Sequence, residues 1–155
     1  MKASVEWLKE YSDIDVDTIK LGDILTMTGS KVETIDRKGN DIKNVVIGKI
    51  LEIEKHPDAD KLVITKVDVG TEILQIVTGA NNIKENDIVP IAKDGAELPG
   101  GVKIKAGVIR GEKSNGMMCA LYEIGIDKKF LSEADKNGIC ELPENALPGE
   151  DPIKF

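Results

Sequence analysis

The hydrophobic positions of residues 1–39 recur at the spacing of short helices. Ser4 can cap a first helix that carries Trp7 and Leu8 and ends near Tyr11. A serine suits this position because its hydroxyl accepts a hydrogen bond from a free N–H of the first helical turn. The pattern therefore predicts a short helix in this part of the chain.

A second helix is predicted shortly after the first. Asp15 or Asp17 can cap it, and Gly29 lies where a left-handed residue commonly ends a helix. The apolar stripe of this helix consists of Leu21, Ile24, Leu25 and Thr28. The alternating run at 31–37 predicts a strand, and the hydrophilic stretch at 38–41 predicts a linker or tight turn. This part of the chain is thus expected to form a small α/β element.

From residue 42 onward, short alternating segments are separated by Gly, Asn, Asp and Pro. Many short strands with compact turns predict a small barrel or sandwich, and periodicity alone does not choose between the two. Short helical pieces fit at 81–86, around Glu123 or at 130–136. The predicted strands are 45–54, 62–69, 73–78, 88–93, 103–109 and 117–121, with a further candidate at 139–142.

The composition indicates a core built from aliphatic side chains. Hydrophobic residues make up 41% of the chain and aromatic residues only 3%, so Val, Ile and Leu must fill the interior. Branched side chains pack well on pleated strands, which favours a β-rich fold. The longest apolar runs are far shorter than the ~20 residues of a membrane span, and charged residues follow Met1 closely, so we expect no signal peptide.

The reactive side chains are few. Cys119 and Cys140 form no CxxC pair, and His56 is the only histidine. These counts argue against a zinc site or a disulfide framework and favour a reducing cytosol. The sequence contains no phosphate-binding glycine loop and no H-E-x-x-H motif, and we expect no catalytic group.

The formal net charge of −7 argues against a strong general nucleic-acid binder, since phosphate contacts need a cationic surface. Binding depends, however, on how charge is distributed locally. Residues 103–113 hold a single acid, Glu112, against four basic side chains: Lys103, Lys105, Arg110 and Lys113. One face of an otherwise acidic domain is therefore expected to be positive.

Four segments resemble, in order, the signature of the tRNA-binding domain family with an oligonucleotide-binding (OB) fold. They are 56–70 (HPDADKLVITKVDVG), 76–82 (IVTGANN), 103–105 (KIK) and 110–120 (RGEKSNGMMCA). The resemblance implies a mainly β fold with minor α. An OB-fold β-barrel would occupy residues 40–155, and the α/β element of residues 1–39 would precede it and pack against it.

The remaining segments are similar to bacterial phenylalanyl-tRNA synthetase beta subunits. The similarity rests on 1–11 (MKASVEWLKEY), 26–33 (TMTGSKVE), 138–143 (GICELP) and 148–149 (PG). It implies a non-catalytic N-terminal part of a longer cytoplasmic subunit, without a cofactor of its own, while ATP and Mg²⁺ serve the parent enzyme elsewhere. The implied partners are tRNA, the rest of the beta subunit and the alpha subunit in an (αβ)₂ heterotetramer, with no membrane or DNA partner.

The basic segment and the family resemblance together give the candidate RNA-binding residues. A guanidinium such as that of Arg110 can grip phosphate through two hydrogen bonds. The resemblance directs Lys61 from its loop toward phosphate and Asn82 toward the binding groove. The full set is Lys61, Asn82, Lys103, Lys105, Arg110, Lys113, Ser114 and Met117.

Several candidates have a structural alternative. The segment 56–61 can be simply a well-made loop, and Asn82 can hold another loop through its amide. Alternation places one of Met117 and Met118 in the core and the other at the surface. For His56, a structural or surface role is expected rather than a role as ligand or base.

Two other functions stay open on the sequence alone. The chain could be a stand-alone dimeric tRNA-binding chaperone, or an OB-fold spacer that contacts proteins and no RNA. The barrel region has only Tyr122, Phe130 and the last residue, Phe155, on which single-stranded bases could stack. Weak contact with a folded tRNA, guided by shape and charge, is therefore expected.

Overall fold

The computed structural model describes residues 2–36, 41–126 and 138–154, together with the single positions 129, 131, 133 and 136. The chain divides into two compact units, Met1–Arg37 and Lys38–Phe155.

Two capped helices form the first unit. Helix α1 (Val5–Lys9) begins after Ser4, whose Oγ accepts a hydrogen bond of 3.5 Å from the Trp7 N–H. Helix α2 (Thr18–Met27) begins after Asp17, whose carboxylate accepts bonds from the N–H groups of Ile19 and Lys20. Both predicted caps are confirmed, because a cap depends only on side chains within one helical turn.

The end of α2 also follows its sequence signal, but the strand predicted after it is wrong. Gly29 has φ +104°, the left-handed conformation expected there. Residues 31–36 form no strand; the Val32 N–H donates to the Thr26 hydroxyl instead. The side chain of Ile35 lies against Gly22 of α2, so the alternating residues cover a helix rather than pair with a strand. Residues 37–40 lie outside the described part of the chain.

The second unit is mainly antiparallel β, which confirms the predicted fold class. Its long sheet has the strand order β3-β2-β1-β4-β5, with β8 paired to β4, while β6 and β7 form a separate hairpin. A single turn of 3-10 helix follows near the C-terminal end, at Pro152–Lys154. The strands are β1 Lys43–Lys55, β2 Val63–Asp68, β3 Ile73–Thr78, β4 Ile88–Leu98, β5 Val102–Lys103, β6 Gly107–Ile109, β7 Glu112–Ser114 and β8 Gly116–Met118.

The long sheet curls so that the edge of β3 reaches the part of the chain that leads from β7 into β8. The outer edge of β3 faces the segment that joins β7 to β8, where the Asn115 N–H donates to the Gln75 carbonyl at 2.8 Å. The Val77 N–H donates to the Ser114 hydroxyl at 3.1 Å. These bonds satisfy backbone groups that the edge of a sheet would otherwise leave open.

The interior of the curled sheet is aliphatic, as the composition predicted. The largest completely buried side chains come from four strands: Ile50, Val67, Ile76 and Ile91 pack together inside the sheet, whereas Ile47 packs in a separate cluster with residues of the C-terminal segment. Thr65 is the polar exception, and its hydroxyl donates to the Ile76 carbonyl at 2.8 Å. Burial of branched side chains on both sides of β1 therefore holds the sheet in its curved shape.

Two predicted strands in this unit are wrong, and the short helical pieces follow the sequence prediction only in part. The expected strand 103–109 is interrupted at 104–106, where the Ile104 backbone bonds to both Gly95 and Ala96 of β4 and the Ala106 N–H donates to the Asp94 carboxylate instead. The expected strand 139–142 is replaced by isolated bonds, from the Cys140 N–H to Cys119 O and from the Leu142 N–H to Ile88 O. Turns and bends occur where short helices were expected at 81–86 and around Glu123, whereas in the alternative at 130–136 the described positions 133 and 136 are helical.

Gly48 permits the tight curl at the centre of β1. A Cβ atom at this position would lie 2.6 Å from Ile91 Cγ1 and 2.6 Å from Val67 Cγ1. Both neighbours are completely buried core residues. No side chain therefore fits at position 48 unless the core moves.

We expect Gly48→Ala to lower the free energy of unfolding by about 1–3 kcal/mol, the usual effect of overpacking a core. The matched control is Gly107→Ala in β6, where an added Cβ meets nothing within 4 Å; its effect should stay within about 0.5 kcal/mol. Urea denaturation of the two variants measures both values. Equal stability of the two variants would contradict the packing described for β1.

Candidate nucleic-acid interface

Arg110 lies at the tip of the hairpin formed by β6 and β7. Ile109 pairs with Glu112, so Arg110 and Gly111 alone make the turn. Their φ angles are +52° and +90°, the combination found in a two-residue type I′ turn. Glycine and asparagine favour these angles, whereas a left-handed conformation costs another residue roughly 1–2 kcal/mol. Glycine or asparagine at position 110 would therefore favour this turn more than arginine does. The Arg110 side chain is exposed.

Gln75 on β3 anchors one strand of this hairpin. Its Nε2 donates to the Lys113 carbonyl at 3.0 Å and lies 3.3 Å from the Glu112 carboxylate. The only acid of the basic segment is therefore held toward β3. Gln75 was not a candidate in the sequence, because its partners lie 37 and 38 residues away along the chain.

The loop between β1 and β2 lies beside the hairpin tip. The loop is closed by bonds from the His56 N–H to Leu62 O and from the Leu62 N–H to Ala59 O, both 3.1 Å. The His56 ring is buried, and its Nε2 lies 3.3 Å from the Ile109 carbonyl oxygen. The structure thus joins the loop that carries Lys61 to the turn that carries Arg110. A structural role for His56 is confirmed.

Four of the predicted cations are exposed: Lys61, Lys105, Arg110 and Lys113. None of the four forms an ion pair with another described residue. Lys103 differs, because its Nζ lies 3.2 Å from the Glu97 carboxylate, which also binds Lys43 at 3.0 Å. Hydrogen bonds from Lys43 and then Lys103 hold the pKa of Glu97 below its usual value. Lys43 and Lys103 share this one carboxylate, so the positive charge of Lys103 is partly balanced within the sheet.

Two polar candidates serve the fold. The Ser114 side chain is buried; its Oγ accepts from the Val77 N–H and donates to the Gly116 carbonyl at 3.0 Å. The Asn82 amide grips the backbone of Ile139, with its Nδ2 donating to the carbonyl and its Oδ1 accepting from the N–H, both at 3.1 Å. These bonds match the structural alternative for Asn82, whereas for Ser114 the sequence predicted contact with RNA.

Apolar side chains also border the hairpin tip. Met118 is buried in the core, while Met117 is half-buried against a cluster that includes Cys119. On β6, Val108 and Ile109 are 65% and 40% exposed. The sequence did not predict that Val108 and Ile109 are both exposed, since in a continuous strand over 103–109 alternate side chains would face the core.

The described residues offer little for covalent or metal chemistry. Burial raises the pKa of Cys119 to about 12, so its thiol stays protonated at neutral pH. No group of three or more His, Cys, Asp and Glu side chains in the described ranges could hold a metal ion. Among the helices that the structure describes, none is long and apolar enough to cross a membrane.

Comparison with known proteins gives a consistent picture. A family model described as "Putative tRNA binding domain" matches residues 45–151. The phenylalanine–tRNA ligase beta subunit of Clostridium acetobutylicum is 57% identical over 152 residues, which cover 97% of this chain and 19% of that protein. The corresponding subunit of a Staphylococcus aureus strain is 44% identical over 155 residues, which cover 99% of this chain and 19% of that protein.

The chain therefore spans about a fifth of the length of these relatives. Among solved structures, the C-terminal domain of Plasmodium vivax p43 matches with a TM-score of 0.50 and 24% sequence identity. The match covers 74% of this chain and 61% of the other. At this identity the likeness concerns the fold.

We expect Arg110→Gly to raise the free energy of unfolding by up to about 1 kcal/mol, because glycine accepts a positive φ without strain. Arg110→Val should lower it, since a branched side chain is disfavoured most at this angle. Urea denaturation compares the two variants with the unchanged chain. A loss of stability in the glycine variant would mean that the arginine side chain itself supports the hairpin.

Proposed function

The chain belongs to the tRNA-binding domain family, and from that premise we propose that residues 38–155 provide an auxiliary tRNA-binding surface. The observation that carries the proposal is the exposed hairpin turn, where an arginine occupies a left-handed position that the fold would fill better with glycine. A guanidinium at such a tip can approach a phosphate from outside the barrel and bind it through two hydrogen bonds.

The proposed surface consists of the hairpin and the neighbouring β1–β2 loop. It presents four exposed cations, Lys61, Lys105, Arg110 and Lys113, none of which pairs with an acid in the described ranges. The exposed aliphatic side chains of β6 lie beside these cations and offer contact to sugars or to an unstacked base. Lys103, Asn82 and Ser114 are left out of this surface because other parts of the fold bind their functional groups.

The chemistry of this surface favours a folded tRNA over a bare single strand. Sequence-tolerant single-strand binding relies on exposed aromatic rings. In the described part of the barrel, Tyr122 is the aromatic residue, and it is half-buried. Phosphate contacts and shape would then carry recognition, and the binding is expected to be weak because the whole chain has a net charge of −7.

We propose further that the surface acts within a longer phenylalanine–tRNA ligase beta subunit. In this proposal the rest of that subunit and an alpha subunit, assembled as a cytoplasmic (αβ)₂ heterotetramer, attach phenylalanine to tRNA with ATP and Mg²⁺. Relatives at 44–57% identity carry this ligase name, which favours the ligase over a stand-alone chaperone. The residues described here form no cluster suited to Mg²⁺, so no magnesium-dependent step is assigned to them.

We expect tRNA to bind the chain at low salt with an affinity that falls steeply as salt is added. For about three phosphate contacts, the affinity should drop roughly 40-fold between about 50 and 200 mM monovalent salt. Filter binding at several salt concentrations gives the slope. Absence of binding even at the lowest salt would support the RNA-free spacer instead.

Single-charge variants locate the contacts. Arg110→Asn and Lys113→Ala should each weaken binding and reduce the salt slope by about one, and neither variant should melt at a lower temperature, since asparagine tolerates the left-handed angle at position 110. Lys66→Ala is the matched control: it removes the same charge from an exposed lysine on β2 that pairs with Glu52. Equal losses in all three variants would assign the affinity to overall charge rather than to the hairpin.

The isolated chain should form no phenylalanyl-tRNA when supplied with ATP, Mg²⁺, phenylalanine and tRNA. A complete ligase of the same family serves as the positive control in the same assay. Product formed by the purified chain above the background without protein would show that catalytic groups lie within these residues.

A further inference from the structure

The hydrogen bonds of His56 fix one form of its ring. The Asp58 backbone N–H donates to His56 Nδ1 at 3.1 Å. Since a backbone N–H can only donate, Nδ1 carries no proton, and the neutral ring holds its proton on Nε2. Nε2 lies 3.3 Å from the Ile109 carbonyl oxygen, so the N–H group points to an acceptor. Both ring nitrogens of this 5% exposed side chain are thus used.

The two bonds connect different parts of the fold. The bond to Asp58 lies within the β1–β2 loop, whereas the bond to Ile109 reaches 53 residues along the chain to β6. The hairpin is a separate two-stranded sheet, an arrangement that is marginally stable by itself. Gln75 holds β7 through the Lys113 carbonyl, and His56 holds β6 through the Ile109 carbonyl. Each strand of the hairpin is therefore held to another part of the fold by one side-chain hydrogen bond, which we call its clamp.

The clamp on β6 acts on the peptide group next to the arginine. Because a peptide is planar, the Ile109 carbonyl and the Arg110 N–H move together. A hydrogen bond that holds the Ile109 carbonyl therefore also fixes the orientation of the peptide plane between Ile109 and Arg110, where the left-handed turn begins. The direction of the Arg110 side chain depends on the same plane.

We propose that His56 is a positioning residue for Arg110: its Nε2–H bond to the Ile109 carbonyl holds the hairpin tip beside the Lys61 loop. The tip and the loop then present their cations together to tRNA phosphates. The RNA-facing part of this inference rests on the proposed function, while the effect on the hairpin does not. His56 itself touches no RNA in this arrangement.

Two substitutions distinguish the effects of the two hydrogen bonds that the His56 ring forms. In His56→Asn, the side-chain oxygen can still accept from the Asp58 N–H, as in an Asx turn, but the side chain is too short to reach Ile109. In His56→Gln, the longer amide can donate to the Ile109 carbonyl from about the place of Nε2. Asparagine should therefore weaken tRNA binding about threefold to tenfold, and glutamine should restore it to within about twofold of the unchanged chain.

A double-mutant cycle tests whether His56 acts through the arginine. His56→Asn combined with Arg110→Asn should bind no more weakly than Arg110→Asn alone, within about twofold. Losses that multiply in the double variant would mean that His56 supports binding by another route and would overturn the proposal. The thermal midpoint of each variant is measured alongside, so that a general loss of folding is recognised.

Hydrogen exchange of the amides at 107–114 tests the clamp without RNA. We expect exchange in the folded chain to accelerate in His56→Asn and to return toward the unchanged rate in His56→Gln, while the amides of β1 and β2 keep their rates. If the unchanged chain fails to bind tRNA at low salt, the proposed function is wrong, yet this exchange pattern still decides whether His56 holds the hairpin. Identical hairpin exchange in the unchanged chain and in His56→Asn would overturn the inference.

Discussion

The edge of β3 is where the curled sheet has to be closed, and the bonds from this edge to the segment joining β7 and β8 close it. The Val77 N–H reaches the buried hydroxyl of Ser114, and the Gln75 carbonyl accepts from Asn115. An open edge there would leave backbone groups exposed next to the aliphatic core. Since the chain must reach position 114 to make these bonds, the preceding residues 107–113 have room only outside the barrel. The exposed hairpin is thus a consequence of how the sheet is completed.

The same architecture explains how an acidic chain can present a positive surface. Several lysines of the long sheet are matched to acids on neighbouring strands, as in the pairs of Lys66 with Glu52 and of Lys43 with Glu97. The hairpin is a separate sheet, and its single acid is held by Gln75. At physiological salt, charges are screened beyond ~8 Å, so a phosphate at the hairpin tip responds to nearby cations more than to the net charge. The charge of −7 therefore limits affinity without excluding local contact.

Sequence reasoning succeeded where the deciding contacts are local. The caps at Ser4 and Asp17 and the left-handed Gly29 each depend on atoms within a few residues, and most long strands follow from alternation alone. It failed where a distant partner decides. The interruption at 104–106 is imposed by β4, and Ser114 looked like a phosphate donor because nothing in the sequence shows that its hydroxyl meets β3.

The hairpin turn could be predicted from the sequence only in part. In a sequence, a two-residue hairpin turn is normally recognised by Asn-Gly or Gly-Gly. Here Arg110 occupies the first position, so the turn is not recognised although Gly111 is present. The left-handed arginine costs roughly 1–2 kcal/mol, while a hydrogen bond to a charged group contributes about 1.5–3 kcal/mol. One phosphate contact is therefore enough to offset the strain, but only while an anion is bound. In the free chain the arginine is unfavourable, so the stability of the fold gives no reason for an arginine at the turn. Under the proposed function, binding of a tRNA phosphate supplies that reason.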